Sequence, residues 1–148
     1  MSDPGRYFTW NELIRSSTAT SLGIDNTPNE EQQQCSRYLV ADTLDPLRAR
    51  LGRAVWITSG FRSRALNTAL KGASSDSQHM LGEAVDIKVG GMNAVQLATF
   101  IVQSGLPFDQ LIWYDLARGG HVHVSYTMRR ANRRETLHAP ESGGYVAW

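Results

Sequence analysis

The sequence predicts an α+β domain in which helices pack on a small central antiparallel sheet. Segments rich in β-forming residues alternate with amphipathic helical segments, and two of the strand-like segments lie close enough to form a hairpin. The 148 residues are 41% hydrophobic, which is enough apolar material for one core but hardly for two. We therefore expect residues 1–148 to form a single domain.

Signals for helix starts define the first elements. Thr9 and Glu12 have the spacing of a capping box, which predicts a short helix that ends near Arg15. The polar, glycine-containing stretch that follows, 16–26, predicts a loop.

A longer helix is predicted after this loop. Thr27 is a candidate cap, Pro28 suits the first helical position, and Glu30 can reach back to the cap. Apolar residues then recur at helical spacing, but Pro46 interrupts them. We expect a helix that kinks or restarts at Pro46 and ends at Gly52.

The remaining elements build the sheet and cover it. Alternation and β-forming residues predict four strands, and helical spacing predicts two more helices. The strands are expected at 54–58, 84–89, 111–113 and 122–126, and the helices at 63–70 and 93–103. The segment after Tyr126 is rich in arginine, proline and glycine and yields no structural prediction.

Charge and cysteine content exclude several classes of function. Fifteen Lys and Arg against fourteen Asp and Glu leave a formal charge of +1, so no strong field points to nucleic acid or to an anionic membrane. Cys35 is the single cysteine, which rules out an internal disulfide and a cysteine-based zinc cluster. Any metal must therefore be held by histidine and carboxylate.

No segment has the pattern of a secretion signal or of a membrane span. The first residues lack a basic head followed by an apolar run, and no later stretch is apolar enough over a sufficient length to cross a bilayer. We expect a chain made in the cytoplasm without a signal peptide, so that an extracellular substrate requires another delivery route.

The segment SQHMLGEAVDI, residues 77–87, is the first candidate site. His79 and Asp86 supply the imidazole nitrogen and the carboxylate oxygen that zinc accepts in the absence of cysteine. Strand alternation points Asp86 away from its apolar neighbours Val85 and Ile87. A carboxylate in such a strand needs a partner, and both a metal and an arginine meet that need.

The segment HVHVSY, residues 121–126, is the second candidate site. Alternation places His121, His123 and Ser125 on one face of a strand. Two imidazoles on one face suit a metal or acid–base site, although the pattern is also ordinary for a half-exposed strand. The two segments together, in a chain with four histidines, favour a metal site.

A third candidate is Arg62, which follows the first predicted strand. Its planar guanidinium group can clamp a substrate carboxylate or polarise a carbonyl group, and a solvated arginine in a turn is the alternative. Trp56, Trp113 and Tyr114 are interpreted as core or wall residues.

These residues, in this order, resemble the M15 zinc peptidases, the D-alanyl-D-alanine carboxypeptidases and related phage endolysins. The resemblance covers about residues 7–126, which leaves 127–148 as a tail. It implies the small α+β fold of the D-Ala-D-Ala carboxypeptidases, also called hedgehog-like. Its segments are FTWNELIRS, GIDNTP, ITSGFRSRALN, SQHMLGEAVDI, FDQLIW and VHVSY.

The resemblance also implies roles for individual residues. His79, Asp86 and His123 match the ligands of one zinc ion, and His121 matches the residue that steadies the transition-state oxyanion. Arg62 and Ser77 match substrate-binding positions, Ser77 by supporting the loop.

One departure concerns the general base. The family places an acid a few residues before the last ligand, but Tyr114 stands there in this chain. Asp115 is the neighbouring carboxylate, and we predict that it takes the proton of the attacking water.

The function implied is hydrolysis of a peptide bond in peptidoglycan stem peptides by a zinc-dependent monomer. A carboxypeptidase that removes D-Ala and an endopeptidase that cuts between L-Ala and D-Glu share all these residues. The compact chain resembles a phage lysis or virion-associated enzyme, which acts at the cell wall once other factors release it or a virion delivers it. Two alternatives stay open, a non-catalytic zinc-stabilised module that binds peptidoglycan or belongs to a virion, and a scaffold without metal.

Overall fold

A six-stranded mixed sheet forms the centre of the structure, a computed structural model in which residues 2–148 are described. The strands are β1 (Val55–Ser59), β2 (Ala84–Val89), β3 (Gln110–Tyr114), β4 (Val122–Ser125), β5 (Glu135–Ala139) and β6 (Val146–Ala147). Their order across the sheet is β1-β2-β4-β3-β5-β6. The α+β class is confirmed, but the sheet is mixed rather than purely antiparallel, because β3 and β5 run parallel.

Two short α-helices precede the sheet. Helix α1 (Trp10–Ile14) starts with the predicted capping box of Thr9 and Glu12. Helix α2 (Ser17–Leu22) occupies the segment predicted as a loop. The Ser16 side chain accepts a hydrogen bond from the main-chain N–H of Ala19, and Gly23 ends the helix in the left-handed conformation. These cap residues favour a helix even in a polar segment.

The long helical segment restarts near Pro46, as predicted. Helix α3 (Glu30–Leu39) passes into a π-helical turn (Val40–Leu44), and α4 (Asp45–Leu51) follows. Proline has no N–H to donate and its ring crowds the carbonyl four residues earlier, so the ladder changes register there. The cap of α3 is Asn29 rather than Thr27, since Asn29 and Gln32 form the capping box.

Two further α-helices and two 3₁₀ turns complete the chain. Their bounds are α5 (Arg64–Ala69), α6 (Ala94–Gln103) and the turns Gln78–Leu81 and Leu116–Arg118. The helices cover one face of the sheet, where the apolar side chains of Val85, Ile87, Val122 and Val124 are buried. The intervening residues of β2 and β4 therefore point to the other face.

The C-terminal segment is part of the sheet. Strand β5 pairs with β3 over five residues, and β6 pairs with β5. The Asp115 carboxylate binds this segment, at 2.7 Å from His138 Nε2 and 2.8 Å from the main-chain N–H of Glu141. Trp113 stacks on the His138 ring at 3.6 Å between centroids. Residues beyond Tyr126, whose structure was not predicted from the sequence, thus support β3.

Within residues 2–148, none of the helices combines the length and the apolar character that crossing a membrane requires.

Candidate metal centre and active-site cleft

Three side chains from separate elements converge on the face of the sheet that the helices leave free. His79 comes from the 3₁₀ turn Gln78–Leu81, Asp86 from β2 and His123 from β4. His79 Nε2 lies 3.3 Å from Asp86 Oδ1, and His123 Nδ1 lies 3.1 Å from the same oxygen. One ligand atom from each residue lies within 4.8 Å of the other two. We call these residues the His-Asp-His triad.

Strand register brings two of the three together. Asp86 stands opposite His123 in the antiparallel β2–β4 pair, and directly paired side chains project from the same face. The apolar residues on either side of each point into the core. The alternation seen in the sequence therefore places an isolated carboxylate next to an imidazole.

The turn that carries His79 depends on Ser77 and Gly82. Ser77 Oγ accepts a hydrogen bond from the main-chain N–H of His79 at 3.2 Å. Gly82 ends the turn at φ +77°, and a Cβ there would lie 2.3 Å from the carbonyl oxygen of Gln32 in α3. A side chain is excluded on both counts. Gly82 thus permits the close approach of the turn to helix α3.

The His79 ring is oriented by a main-chain carbonyl group. His79 Nδ1 lies 2.7 Å from the carbonyl oxygen of Gly60. A carbonyl oxygen only accepts, so Nδ1 carries a proton, and Nε2 is the ring nitrogen directed at Asp86. Metal-binding histidines are commonly fixed in this way through their second ring nitrogen.

The protonation states of Asp86 and His123 suit a metal ion. Burial disfavours the charged form of Asp86, but the neighbouring His79 and His123 outweigh this cost and hold the pKa of its carboxyl group well below the ordinary value. Burial lowers the pKa of His123, despite the opposing effect of Asp86. An ionised Asp86 carboxylate and a neutral His123 imidazole are forms that bind zinc. The donor set therefore fits a divalent metal such as zinc.

His121 and Arg62 flank the triad without belonging to it. His121 Nε2 lies 3.9 Å from Asp86 Oδ2, and its ring stacks on Tyr114 at 4.2 Å. Burial lowers the pKa of His121. Arg62 Nη2 lies 3.5 Å from Asp86 Oδ2, and its Nε donates to Ser59 Oγ at 3.2 Å. Asp86 thus has both kinds of partner that the sequence left open. One is the Arg62 guanidinium group, and the other is a pair of histidines that could bind a metal with it.

A buried asparagine holds the segment that contains Arg62. Asn26 Nδ2 donates to the carbonyl oxygens of Ile14 and Phe61, at 2.7 and 2.9 Å, and Asn26 Oδ1 accepts from the N–H of Ser63 at 2.7 Å. Three hydrogen bonds from one buried side chain fix this loop relative to α1. The role of Asn26 was not apparent from the sequence, because its partners are main-chain atoms far away along the chain.

The structure does not bring Asp115 into this group. Its carboxylate is engaged by His138 and by the main-chain N–H of Glu141, and it does not line the cleft around the triad. Asp115 instead precedes the 3₁₀ turn Leu116–Arg118, and the longer connection turns it towards the C-terminal segment. The predicted transfer of a proton to Asp115 is not favoured by this placement.

The triad opens onto a large cleft of about 1100 Å³. One wall is the loop at 70–78, and another contains Tyr114 and Tyr145, whose hydroxyl groups lie 3.4 Å apart. The Arg118 guanidinium group lies over both of these rings and donates to the carbonyl oxygens of Pro140 and Gly144. The C-terminal segment therefore contributes to the cleft, which the sequence did not predict.

A family comparison is consistent with this geometry. The family model described as Peptidase M15 matches residues 6–125, which include the whole triad, His121 and Arg62. No curated protein in the comparison matches the chain significantly.

Proposed function

The chain belongs to the peptidase M15 family, and on that premise we propose that it is a zinc-dependent peptidase that hydrolyses a peptide bond in peptidoglycan stem peptides. The observation that carries this proposal is the convergence of His79, Asp86 and His123 at the wall of the cleft. Three protein ligands from histidine and carboxylate are typical of catalytic zinc sites, which keep a position for water.

In the proposed reaction His79, Asp86 and His123 would hold one zinc ion. When bound, zinc supplies a Lewis acid that activates water and polarises the scissile carbonyl group. The hydrogen bond from His79 Nδ1 to Gly60 keeps the ligand ring in place before any metal arrives.

The neighbouring side chains act on the reacting oxygen atoms. His121 faces the triad but is not needed as a ligand, so its Nε2 is free to hydrogen-bond the oxygen that gains negative charge. Arg62 adds a positive charge on the same side of Asp86. Burial raises the pKa of Tyr114, which therefore stays protonated and serves as a hydrogen-bond donor.

A second candidate function is a zinc-stabilised module that binds cell-wall peptides without cutting them. It is favoured by the small number of carboxylates that line the cleft. Among the described residues that line it, the carboxylates are Asp76, in the exposed loop, and Asp86, a proposed ligand. No further carboxylate lines the described cleft to act as the general base that the family uses.

The two functions are separated by incubating the zinc-loaded protein with purified peptidoglycan. New amino groups, together with shortened muropeptides in mass spectrometry, support the peptidase, and the mass of the fragments identifies the bond that is cut. The His79→Ala variant is the control for contaminating hydrolases. Tight pelleting with peptidoglycan but no new amino groups would support the binding module.

A further inference from the structure

The positive charge of the chain is concentrated in the cleft. Over the whole sequence basic and acidic residues nearly balance, fifteen against fourteen. Seven lysine or arginine side chains line the cleft, against two aspartates. Such a focused charge attracts anionic ligands, although the net charge of +1 gives no sign of it.

Three arginines from the C-terminal segment form the densest part of this charge. Arg129 pairs with Glu83, at 2.8 Å from Nη2 to Oε1 and 2.9 Å from Nε to Oε2. Arg130 and Arg133 both pair with Asp109, at 2.6 and 3.0 Å. We call Arg129, Arg130 and Arg133 the arginine cluster.

The two carboxylates beneath the cluster do not neutralise it. The Glu83 and Asp109 side chains are 1% and 0% exposed, whereas those of the three arginines are 40 to 53% exposed. Two negative charges therefore face three positive ones, and the outer sides of the guanidinium groups reach the cleft. Glu135 lies 3.9 Å from Arg133 Nη1, but its side chain is 41% exposed, so water screens this pair.

Donor groups are left over for a ligand. Arg129 uses Nε and Nη2 for Glu83, and Arg133 uses Nε and Nη2 for Asp109. The Nη1 group of each makes no hydrogen bond to the described residues. Guanidinium groups held rigidly by buried carboxylates are well suited to bind another carboxylate, because little side-chain entropy remains to be lost.

The cluster is also linked directly to the triad. Gln78, the residue before His79, donates from Nε2 to Glu83 at 3.1 Å and to Asp109 at 3.2 Å. The turn that positions His79 is therefore fixed to the carboxylates that position the arginines. A peptide lying in the cleft across the triad has the cluster within the same cavity.

We propose that the arginine cluster binds a carboxylate of the substrate peptide, so that the cleft selects acidic stem peptides over amidated ones. The choice of a stem peptide as the ligand rests on the proposed function. The pairing of arginine with a carboxylate does not depend on it. Arg133 contributes through Nη1, which makes no hydrogen bond to the described residues. Asp109 keeps Arg130 as a partner when Arg133 is replaced.

The test uses two synthetic peptides, L-Ala-γ-D-Glu-L-Lys-D-Ala-D-Ala with a free α-carboxylate on D-Glu and the same peptide with this group amidated. Affinity is measured by calorimetry on the chelator-treated protein, and kcat/KM on the zinc-loaded protein. The wild type is expected to prefer the acid by roughly fivefold or more, a gap that narrows at high salt. Arg133→Gln is expected to remove most of the preference and Arg133→Lys to keep part of it.

Arg53→Gln is the matched control, since Arg53 lies outside the cleft and donates to the carbonyl oxygen of Gly90. It removes the same charge and should leave the preference intact. Circular dichroism checks that each variant is folded. Equal affinity for both peptides, or a preference that Arg133→Gln leaves unchanged, would overturn the inference even if both peptides are cleaved. Selective binding without cleavage would uphold it and contradict the peptidase.

Discussion

The Nδ1 atom of His79 illustrates how one hydrogen bond determines the chemistry of a site. Because it donates to the Gly60 carbonyl group, the second ring nitrogen is directed at Asp86. Sequence alternation separated Asp86 from its apolar neighbours and placed His121 and His123 together on one strand face. The resemblance to the M15 peptidases then selected His123 as the ligand. The sequence could not show the Gly60 contact or the contact of Asn26 with the Arg62 loop, because main-chain acceptors have no sequence signature.

The first prediction concerns the ligand set. His79→Ala removes one of the three donors, so zinc affinity is expected to fall by roughly 100-fold or more, and peptide hydrolysis with it. Zinc content after dialysis, measured by atomic absorption, gives the readout. His138→Ala removes a histidine outside the cleft and should keep the metal. Full zinc occupancy in His79→Ala would rule out this residue as a ligand.

The second prediction separates Asp115 from the reaction. Its carboxylate bonds to His138 and to the Glu141 N–H, so Asp115→Asn is expected to keep kcat/KM within about twofold. The midpoint of urea unfolding should fall, because a charged acceptor of the C-terminal segment becomes neutral. A folded, zinc-loaded Asp115→Asn protein without activity would restore Asp115 as the general base.

At the scale of elements, prediction succeeded where local signals agree with the final packing. The capping box before α1 and Pro46 in the long helix both act within a few residues, and the structure contains both features. Helix α2 was missed because its polar residues resemble a loop. Strand β5 was missed because it pairs in parallel with β3, and parallel pairing brings together segments that no tight turn connects.

The third prediction tests whether β5 is integral to the fold. Ala139 is fully buried in β5, whereas Ala147 in β6 is exposed. Ala139→Asp places a charge in the interior and is expected to lower the free energy of unfolding by about 3 kcal/mol or more. Ala147→Asp, the matched control, should change it by less than about 0.5 kcal/mol. Urea unfolding at neutral pH measures both. A small effect in both variants would show that β5 does not pack on β3.

At the scale of the whole molecule, charge is distributed in a way that composition conceals. Glu83 directly precedes β2 and Asp109 directly precedes β3, and their arginines lie in the segment after β4. The ion pairs therefore fasten the C-terminal segment to the sheet. In the sequence, only the richness of the last segment in arginine is apparent. Their pairing depends on the complete topology, since residues more than 20 positions apart must meet.

The last prediction follows from the sign of the shift at Asp109. Burial tends to raise the pKa of its carboxyl group, but Arg130 and Arg133 together lower it far below the ordinary value of 3.8. A carboxyl group with a depressed pKa in the folded state stabilises the protein above its unfolded pKa, and the contribution is lost as the pH falls towards the folded pKa. Asp109→Asn is therefore expected to lower the free energy of unfolding by about 3 kcal/mol at pH 7.

The difference in the free energy of unfolding between the wild type and Asp109→Asn should narrow below about pH 4. Protonation of Asp109 in the wild type removes the same negative charge that the substitution removes. Urea unfolding in the presence of a chelator measures this gap without a contribution from metal binding. The titration of the triad is common to both proteins and cancels in the difference. A gap that stays constant from pH 7 to pH 2.5 would mean that the buried Asp109 carboxylate and its two arginines do not stabilise the fold through their charges.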